Sequence, residues 1–385
     1  MKSDYDVLGN HIRLIDTRNT DSITDRVLGI NIDKFFMPSV ANVIGTDLSK
    51  YKLITKGKFA CNPMHVGRDE RLPVALYEED EPAIVSPAYF MFEIIDGSVL
   101  DENYLMMWFR RPEFDRICWL HTDGSVRGGI TWDDICRLEL PVPPIDEQRE
   151  IVRSYKAITE RIALKKQIND NLVASLSAVY KELFSDADTQ YPKVPLQKIC
   201  SKIGSGATPK GGKTAYIDEG ISLIRSTNVF DFRFEYSDLA HINQNQADAL
   251  ANVTVEQNDV LFNITGVSVA RCCMVPDNVL PARVNQHVMI VRPIKGENMS
   301  YYIMFTLCSA DNKAKLLGIG QSGSTREAIN KQELESFEIP LPDDNALNKF
   351  GNAAKRVYKH IYCNVKEIHA LEEIKTVLLA QLSSC

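Results

Sequence analysis

The residues best suited to grip a phosphate are Ala207-Thr-Pro-Lys-Gly-Gly-Lys213-Thr214. With alanine accepted at the first position, the run fits a phosphate-binding loop. Such a loop needs a strand before it and a helix starting at the Lys-Thr pair, so that amides point at the phosphates. Pro209 stiffens the loop, and the following Ala215-Tyr-Ile-Asp-Glu-Gly220 breaks after six residues, too soon for that helix. An ATPase is therefore not expected. Asn62-Pro-Met-His65 lacks the second proline and the aromatic of a methyl-transfer loop, and no glycine-rich cofactor loop accompanies it. The seven histidines show no HExxH spacing, and no GxSxG is present. The nine cysteines are odd in number, form no CxxC pair, and include the adjacent Cys272-Cys273. They predict reduced, packed thiols in a cytoplasmic protein and no metal site.

The elements that would position any site come from a chain of 385 residues, 44% hydrophobic and 25% charged. That composition predicts a globular protein of two or three domains. The longest apolar runs, such as Ala83–Ile95, are broken by proline or charge before 18 residues, so no transmembrane helix is expected. Met1-Lys-Ser-Asp-Tyr-Asp lacks the apolar core of a signal peptide. The net charge is −7; residues 1–140 hold 16 basic and 23 acidic side chains, and residues 196–340 hold 14 and 15. This balance argues mildly against a polyanionic partner, although phosphate binding needs only a local basic face.

The chain repeats itself at an offset of 199. Gly124-Ser-Val-Arg-Gly-Gly-Ile130 lies over Gly323-Ser-Thr-Arg-Glu-Ala-Ile329, and Glu139-Leu-Pro-Val-Pro143 over Glu338-Ile-Pro-Leu-Pro342. Val85–Phe92 aligns with Val284–Val291, and Asn62 falls beside Asn263 after a shift of two. No gap is needed from about residue 84 onward. Internal repetition decides architecture. The halves run over residues 1–185 and 192–385, joined by the polar linker Ser185–Pro195.

Each half ends in a helical seam. After Pro143-Pro144, acid in the first turn suits a helix start. Ile151, Tyr155, Ile158, Ile162, Lys165, Asn169, Leu172, Leu176, Val179 and Leu183 then follow in alternating steps of four and three. Phe350, Ala354, Val357, Ile361, Asn364, Ile368, Leu371, Lys375, Leu378 and Leu382 repeat the pattern. A strict 4-3 alternation favours helix-on-helix packing over a broad globular face. The two helices are expected to pair as an antiparallel coiled coil. The polar seam residues would fix register. A helix from Glu147 to Phe184 would span roughly 57 Å at ~1.5 Å per residue.

The preceding segments predict mixed α/β domains, so the fold class is α+β. Candidate strands are Ala83–Ile95, Ile221–Arg225, Asp259–Thr265 and Val284–Arg292, with turns at Gly204–Gly212 and Gly318–Ser324. Short helices are expected at Asn103–Arg110, Tyr301–Cys308 and Lys331–Ser336.

Glu139-Leu-Pro-Val-Pro-Pro-Ile-Asp-Glu-Gln-Arg-Glu-Ile-Val152, followed by a long helix ending Tyr180-Lys-Glu-Leu-Phe184, resembles the conserved region of type I restriction-modification specificity subunits. Gly204-Ser-Gly-Ala-Thr-Pro209, Tyr216, Gly220-Ile-Ser-Leu-Ile224 and Gly318-Ile-Gly-Gln-Ser-Gly-Ser-Thr-Arg326 resemble the start and end of that family's target recognition domains. In the second conserved region, Asp343-Asp-Asn-Ala-Leu347 replaces the Glu-Gln element. The first domain lacks the glycine-Thr-Pro opening. The resemblance implies target recognition domains over 1–143 and 192–342, and conserved helices over 144–185 and 343–385. It implies a non-catalytic subunit in which each domain reads one half of a bipartite site in double-stranded DNA. The helices would set the spacing and dock two modification subunits that methylate adenine, with restriction subunits joining through them. S-adenosylmethionine, ATP and magnesium would belong to those partners, none to this chain. The acidic balance would leave part of the phosphate binding to more basic subunits. The alternative is a coiled-coil scaffold without DNA readout.

Base readout needs Arg, Lys, Asn, Gln, Ser or Thr at groove edges, and glycine-bordered polar loops supply them. In the second domain the candidates are Lys210, Lys213, Thr214, Arg225, Asn228, Thr265, Ser268, Arg271, Gln321, Ser322 and Ser324. In the first they are Asn62, His65, Arg68, His121, Thr122 and Ser125. Arg127 and Arg326 match between halves, which suggests a phosphate or structural role. Trp108, Trp119 and Trp132 suit core or interface. The helix-pairing candidates are Ile151, Tyr155, Ile158, Ile162, Asn169, Leu172, Leu176, Val357, Ile361, Asn364, Ile368, Leu371 and Leu378.

Overall fold

The apolar strands of each half are buried on both faces, which is why they read as runs and not as alternations. A computed structural model describes residues 5–41, 43–64, 66–122, 128–209, 211–321 and 328–382. Its contacts divide the chain into two units, residues 1–165 with 366–385 and residues 166–365.

In the first unit one antiparallel sheet has the order Ile12–Leu14, Phe90–Ile94, Phe59–Cys61, Val74–Leu76. A second has the order Phe36–Pro38, Val27–Ile30, Ala83–Val85, Lys52–Ile54, with its central pair parallel. Ala60 and Met91 face the core beneath the second sheet, while their neighbours Phe59, Cys61 and Phe92 face the helices.

The second unit repeats this plan strand for strand. Its sheets run Cys200–Ser205, Val288–Pro293, Val260–Asn263, Cys272–Met274, and Ala240–Ile242, Ile221–Ile224, Ala282–Val284, Thr254–Val255. Again only the central pair of the second sheet is parallel. Helices follow at Glu102–Phe109 and Pro112–Leu120 in one unit and at Glu297–Cys308 and Ala310–Gln321 in the other. Each unit also has a two-stranded pair, Tyr5–Val7 with Glu139–Pro141 and Lys193–Pro195 with Glu338–Pro340. The offset of 199 is therefore a repeat of structure.

The long helices span Ile145–Phe184, 40 residues, and Asp344–Gln381, 38 residues. They pair antiparallel within each unit. In the first, Val152, Tyr155 and Leu382 share one core, and Glu367 receives Arg161 at 2.5 Å and Lys165 at 2.8 Å. In the second, Leu176, Phe350, Ala354 and Tyr358 share a core, Tyr180 lies 5.4 Å from Phe350, and Asn364 donates to Asn169 at 2.8 Å. The polar seam residues Asn169 and Asn364 thus meet each other, the arrangement that fixes register. Tyr155, Ile162, Leu176, Asn364 and Ile368 are buried; Ile151, Ile158, Asn169, Leu172, Val357, Ile361, Leu371 and Leu378 are half-buried.

Several expectations are corrected. Ala83–Ile95 and Val284–Arg292 are each two strands separated by a turn, at 86–89 and 285–287. Ser86-Pro87 marks the first break and the polar Asn285-Gln-His287 the second. Gly318–Gln321 continues a helix instead of opening a turn. The linker at Ser185–Pro195 contains a helical turn, Ala187–Gln190, and a strand. Val179 is exposed, and Tyr180 takes its place in the packing.

Gln148 has a role no pattern announced. It is 0% exposed. Its Nε2 donates to the carbonyls of Val99 at 2.8 Å and Pro143 at 2.7 Å, and its Oε1 accepts from the Asp101 amide at 2.9 Å. Asp101 in turn caps the helix Glu102–Phe109. The glutamine of the Glu-Gln element therefore latches the long helix to the sheets and helices of its own unit. At the equivalent place Leu347 enters the second unit's core.

Candidate nucleic-acid interface

In the second unit four segments are drawn together by backbone geometry. Gly206 approaches Val284 so closely that a Cβ would stand 1.8 Å from its carbonyl oxygen, and its amide donates to Asn285 O at 3.1 Å. Only glycine permits that contact. The Ile264 amide donates to His287 O at 3.0 Å, and the Ile329 amide to Ile264 O at 2.9 Å. The first unit repeats the last of these with the Ile130 amide on Pro63 O at 3.2 Å.

Pinned in this way, the second unit's segments carry a chain of polar side chains. Thr208 donates to Gln286 Oε1, Gln286 Nε2 meets His287 Nε2 at 3.0 Å, and His287 Nδ1 meets Thr265 Oγ1 at 2.7 Å. Beside it the turn Gly266–Ser268 projects Val267, 98% exposed, with Gly266 at φ +67°. Asn263 Nδ2 donates to Ser226 O at 2.9 Å and Val229 O at 3.2 Å, tying in the next turn. There Arg271 and Arg233 both lie over the Phe230 ring, at 4.7 and 5.1 Å. Hydroxyl, amide, imidazole and guanidinium groups are the types that meet base edges and phosphates. Thr208, Phe230, Arg233, Gln286 and His287 were not singled out from sequence. Gln286 and His287 sit in the turn that the fused strand concealed.

The named candidates separate by position. Thr265, Ser268 and Arg271 lie on these convergent segments; Ser268 donates to Thr265 O at 3.3 Å. Gln321 is exposed at the end of its helix. Lys213 and Thr214 lie in the short turn Gly212–Ala215, which is not the helix a phosphate loop requires. Thr214 caps Gly211 O at 2.8 Å. Arg225 donates to Asp238 O and lies over Tyr216 at 5.6 Å, with its Nε buried and unpartnered. Asn228 is fully buried, and its amide donates to Glu235 O at 3.0 Å and Ser237 O at 3.3 Å. Its side-chain amide thereby holds that turn.

In the first unit Asn62 accepts from the Met64 amide at 3.1 Å in a local turn. Arg68 forks onto Asp69 at 2.6 and 2.9 Å. His121 caps a helix end, and Thr122 donates to Trp119 O at 2.7 Å. These stand on the segments equivalent to the second unit's. His65, Ser125, Arg127, Lys210, Ser322, Ser324 and Arg326 lie outside the described residues. The Lys34 ammonium is buried against Asp115 at 2.6 Å and Phe109 O at 2.6 Å. Burial draws its pKa below the ordinary value, against the opposing pull of Asp115.

Among the described residues no cluster of three or more His, Cys, Asp or Glu side chains could hold a metal, and no helix is long and apolar enough to cross a membrane.

Comparison with known proteins agrees with this architecture. Residues 200–372 match the family model of the type I restriction modification DNA specificity domain. A protein of Methanocaldococcus jannaschii, described as a type I restriction enzyme MjaX specificity subunit, is 20% identical over 403 residues, which cover 98% of this chain and 87% of that protein. The crystal structure of the type I restriction-modification S subunit from M. genitalium superposes with a TM-score of 0.55 at 14% identity, covering 98% of this chain and 95% of that one. It shares the fold. Over residues 200–372 the chain is similar to the type I restriction modification DNA specificity domain, and over 98% of its length it is similar to a protein described as a type I restriction enzyme specificity subunit.

Proposed function

We propose that each recognition domain, residues 1–143 and 192–342, reads one half of a bipartite sequence in double-stranded DNA. The conserved helices, 144–185 and 343–385, set the gap and dock two modification subunits, through which restriction subunits join. What carries this reading is the duplicated head: two units of identical strand order bear different side chains on their convergent segments. A duplicated unit suits a two-part site and two like partners. Different side chains suit different half-sites. S-adenosylmethionine, ATP and magnesium belong to the partner subunits in this reading, and the complex works in the cytoplasm.

In the second domain the reading surface centres on Thr208, Thr265, Ser268, Arg271, Gln286 and His287, with Gln321 at its edge. Lys213, Thr214 and Arg225 flank it. In the first domain Asn62, Arg68, His121 and Thr122 border the corresponding place.

The test is DNA binding by the assembled modification complex across a salt series. Gln286→Ala with His287→Ala is expected to lower affinity for the cognate duplex by ~10-fold or more, about 1–3 kcal/mol per lost base contact. Affinity for unrelated duplex, which rests on phosphates, stays unchanged. Equal losses on both duplexes would contradict base readout by this pair.

A further inference from the structure

One turn has the same backbone in both units and different side chains at its tip. It joins Ala83–Val85 to Phe90–Ile94 in the first unit and Ala282–Val284 to Val288–Pro293 in the second. In the first, the Ala88 amide donates to Ser86 Oγ at 3.2 Å and the Tyr89 amide to Ser86 O at 3.1 Å. In the second, the His287 amide donates to Asn285 Oδ1 at 2.9 Å and the Val288 amide to Asn285 O at 3.4 Å. Ser86 and Asn285 thus do the same work at equivalent places. The two positions between them and the strand hold Pro87-Ala88 in one unit and Gln286-His287 in the other. Proline and alanine side chains can neither donate nor accept a hydrogen bond, whereas glutamine and histidine can do both.

Gln286 is exposed, yet both ends of its amide are held. Thr208 donates to its Oε1, and its Nε2 meets His287 Nε2 at 3.0 Å, with Thr265 Oγ1 behind the imidazole at 2.7 Å. A glutamine side chain carries two N–H donors and two acceptor lone pairs. The chain uses one of each, so one donor and one acceptor remain side by side. Reversing the chain, with the amide turned over and the imidazole in its other tautomer, leaves the same remainder. A solvated glutamine would keep its rotamer freedom; one held in place beforehand spares binding that ordering cost.

We propose that Gln286, positioned by Thr208 and His287, reads an adenine in the half-site of the second domain. The inference rests on the reading of this domain as a DNA-contacting head and goes past it by naming the base. In the major groove adenine offers an acceptor, N7, beside a donor, its 6-amino group. Guanine offers two acceptors and would set its O6 against Oε1; cytosine offers a donor and thymine an acceptor. Phosphate oxygens only accept, and would leave Oε1 without a partner. The first domain, with Pro87-Ala88 at this place, lacks the contact, so its half-site is read by other residues.

The test measures binding of the assembled modification complex to its cognate duplex, defined by mapping methylated adenines. Each adenine of the second domain's half-site is replaced in turn by 7-deazaadenine, which lacks the N7 acceptor, and by nebularine, which lacks the 6-amino donor. At one adenine each replacement should weaken binding by the parent chain roughly three- to tenfold, the worth of one hydrogen bond. At that adenine neither should weaken binding by Gln286→Ala further. Gln286→Glu, which accepts but cannot donate, should bind the unmodified duplex about tenfold or more weakly than the parent. Neutral replacement at every adenine, or a loss of the same size in Gln286→Ala, would overturn the assignment while leaving the domain a reader of DNA. A parent complex that does not distinguish cognate from unrelated duplex would instead overturn the DNA reading beneath it.

Discussion

Replacing Gln148 with leucine should weaken the first unit by about 3 kcal/mol, because three hydrogen bonds at roughly 1 kcal/mol each are lost and their partners stay buried. The partners are the Asp101 amide and the carbonyls of Val99 and Pro143, at 2.9, 2.8 and 2.7 Å. Leucine nearly conserves volume, so a cavity adds little. Alanine should cost about 1–2 kcal/mol more for the space it leaves. The reciprocal change, Leu347→Gln, puts an amide where the second unit offers an apolar core, and about 1–3 kcal/mol is expected. Calorimetric melting reads all three. At ~2–4 °C per kcal/mol for a unit of this size, Gln148→Leu should lower its transition by roughly 6–12 °C. Hydrogen exchange should localise the loss to the helix starts near Glu102 and Ile145. A shift of under about 2 °C, or protection unchanged at Asp101, would refute the latch.

Asp115→Ala strands the buried Lys34 ammonium and the Leu72 amide that Asp115 also receives at 3.0 Å. A loss of about 3–5 kcal/mol is expected on urea unfolding, as for breaking a buried ion pair. Gly206→Ala drives a methyl into the Val284 carbonyl at 1.8 Å, so the 206–209 segment must move. About 2–3 kcal/mol and loss of cognate binding are expected, with the helix pair intact by circular dichroism. Hydrogen bonds from Lys165 and Arg161 hold the Glu367 carboxyl below its ordinary 4.5. A depressed carboxylate stabilises the folded state above that ordinary value and loses this as pH falls through the folded one. Urea midpoints of the parent chain and Glu367→Gln should therefore differ at pH 7 and converge near pH 3; a constant gap would count against the pairing.

The sequence exposed what is periodic or duplicated. The offset of 199 carried through to strand order, and the 4-3 seams carried through to helix pairing, including Asn169 opposite Asn364. Two breaks were read across although Ser86-Pro87 and Asn285-Gln-His287 mark them, because the segments on either side are apolar. Ser86–Tyr89 and Asn285–His287 interrupt strands buried on both faces, where burial demands apolar residues on either side of a turn. The hairpin Val229–Phe234, which turns at Phe232, was silent: its left-handed turn residue, φ +61°, is a phenylalanine, not the glycine or asparagine that marks such turns. Of the proposed reading surface, Thr265 and Ser268, which border Gly266, stand out in the sequence. Gln286 and His287 do not, because their place depends on contacts between segments far apart in sequence.

Exchange of residues 192–342 for the corresponding domain of a type I specificity subunit, followed by long-read mapping of methylated adenines in cells, tests the division of labour between the heads. One half of the methylated sequence should change while the other half and the gap between them persist. Alteration of both halves together, or of neither, would contradict it.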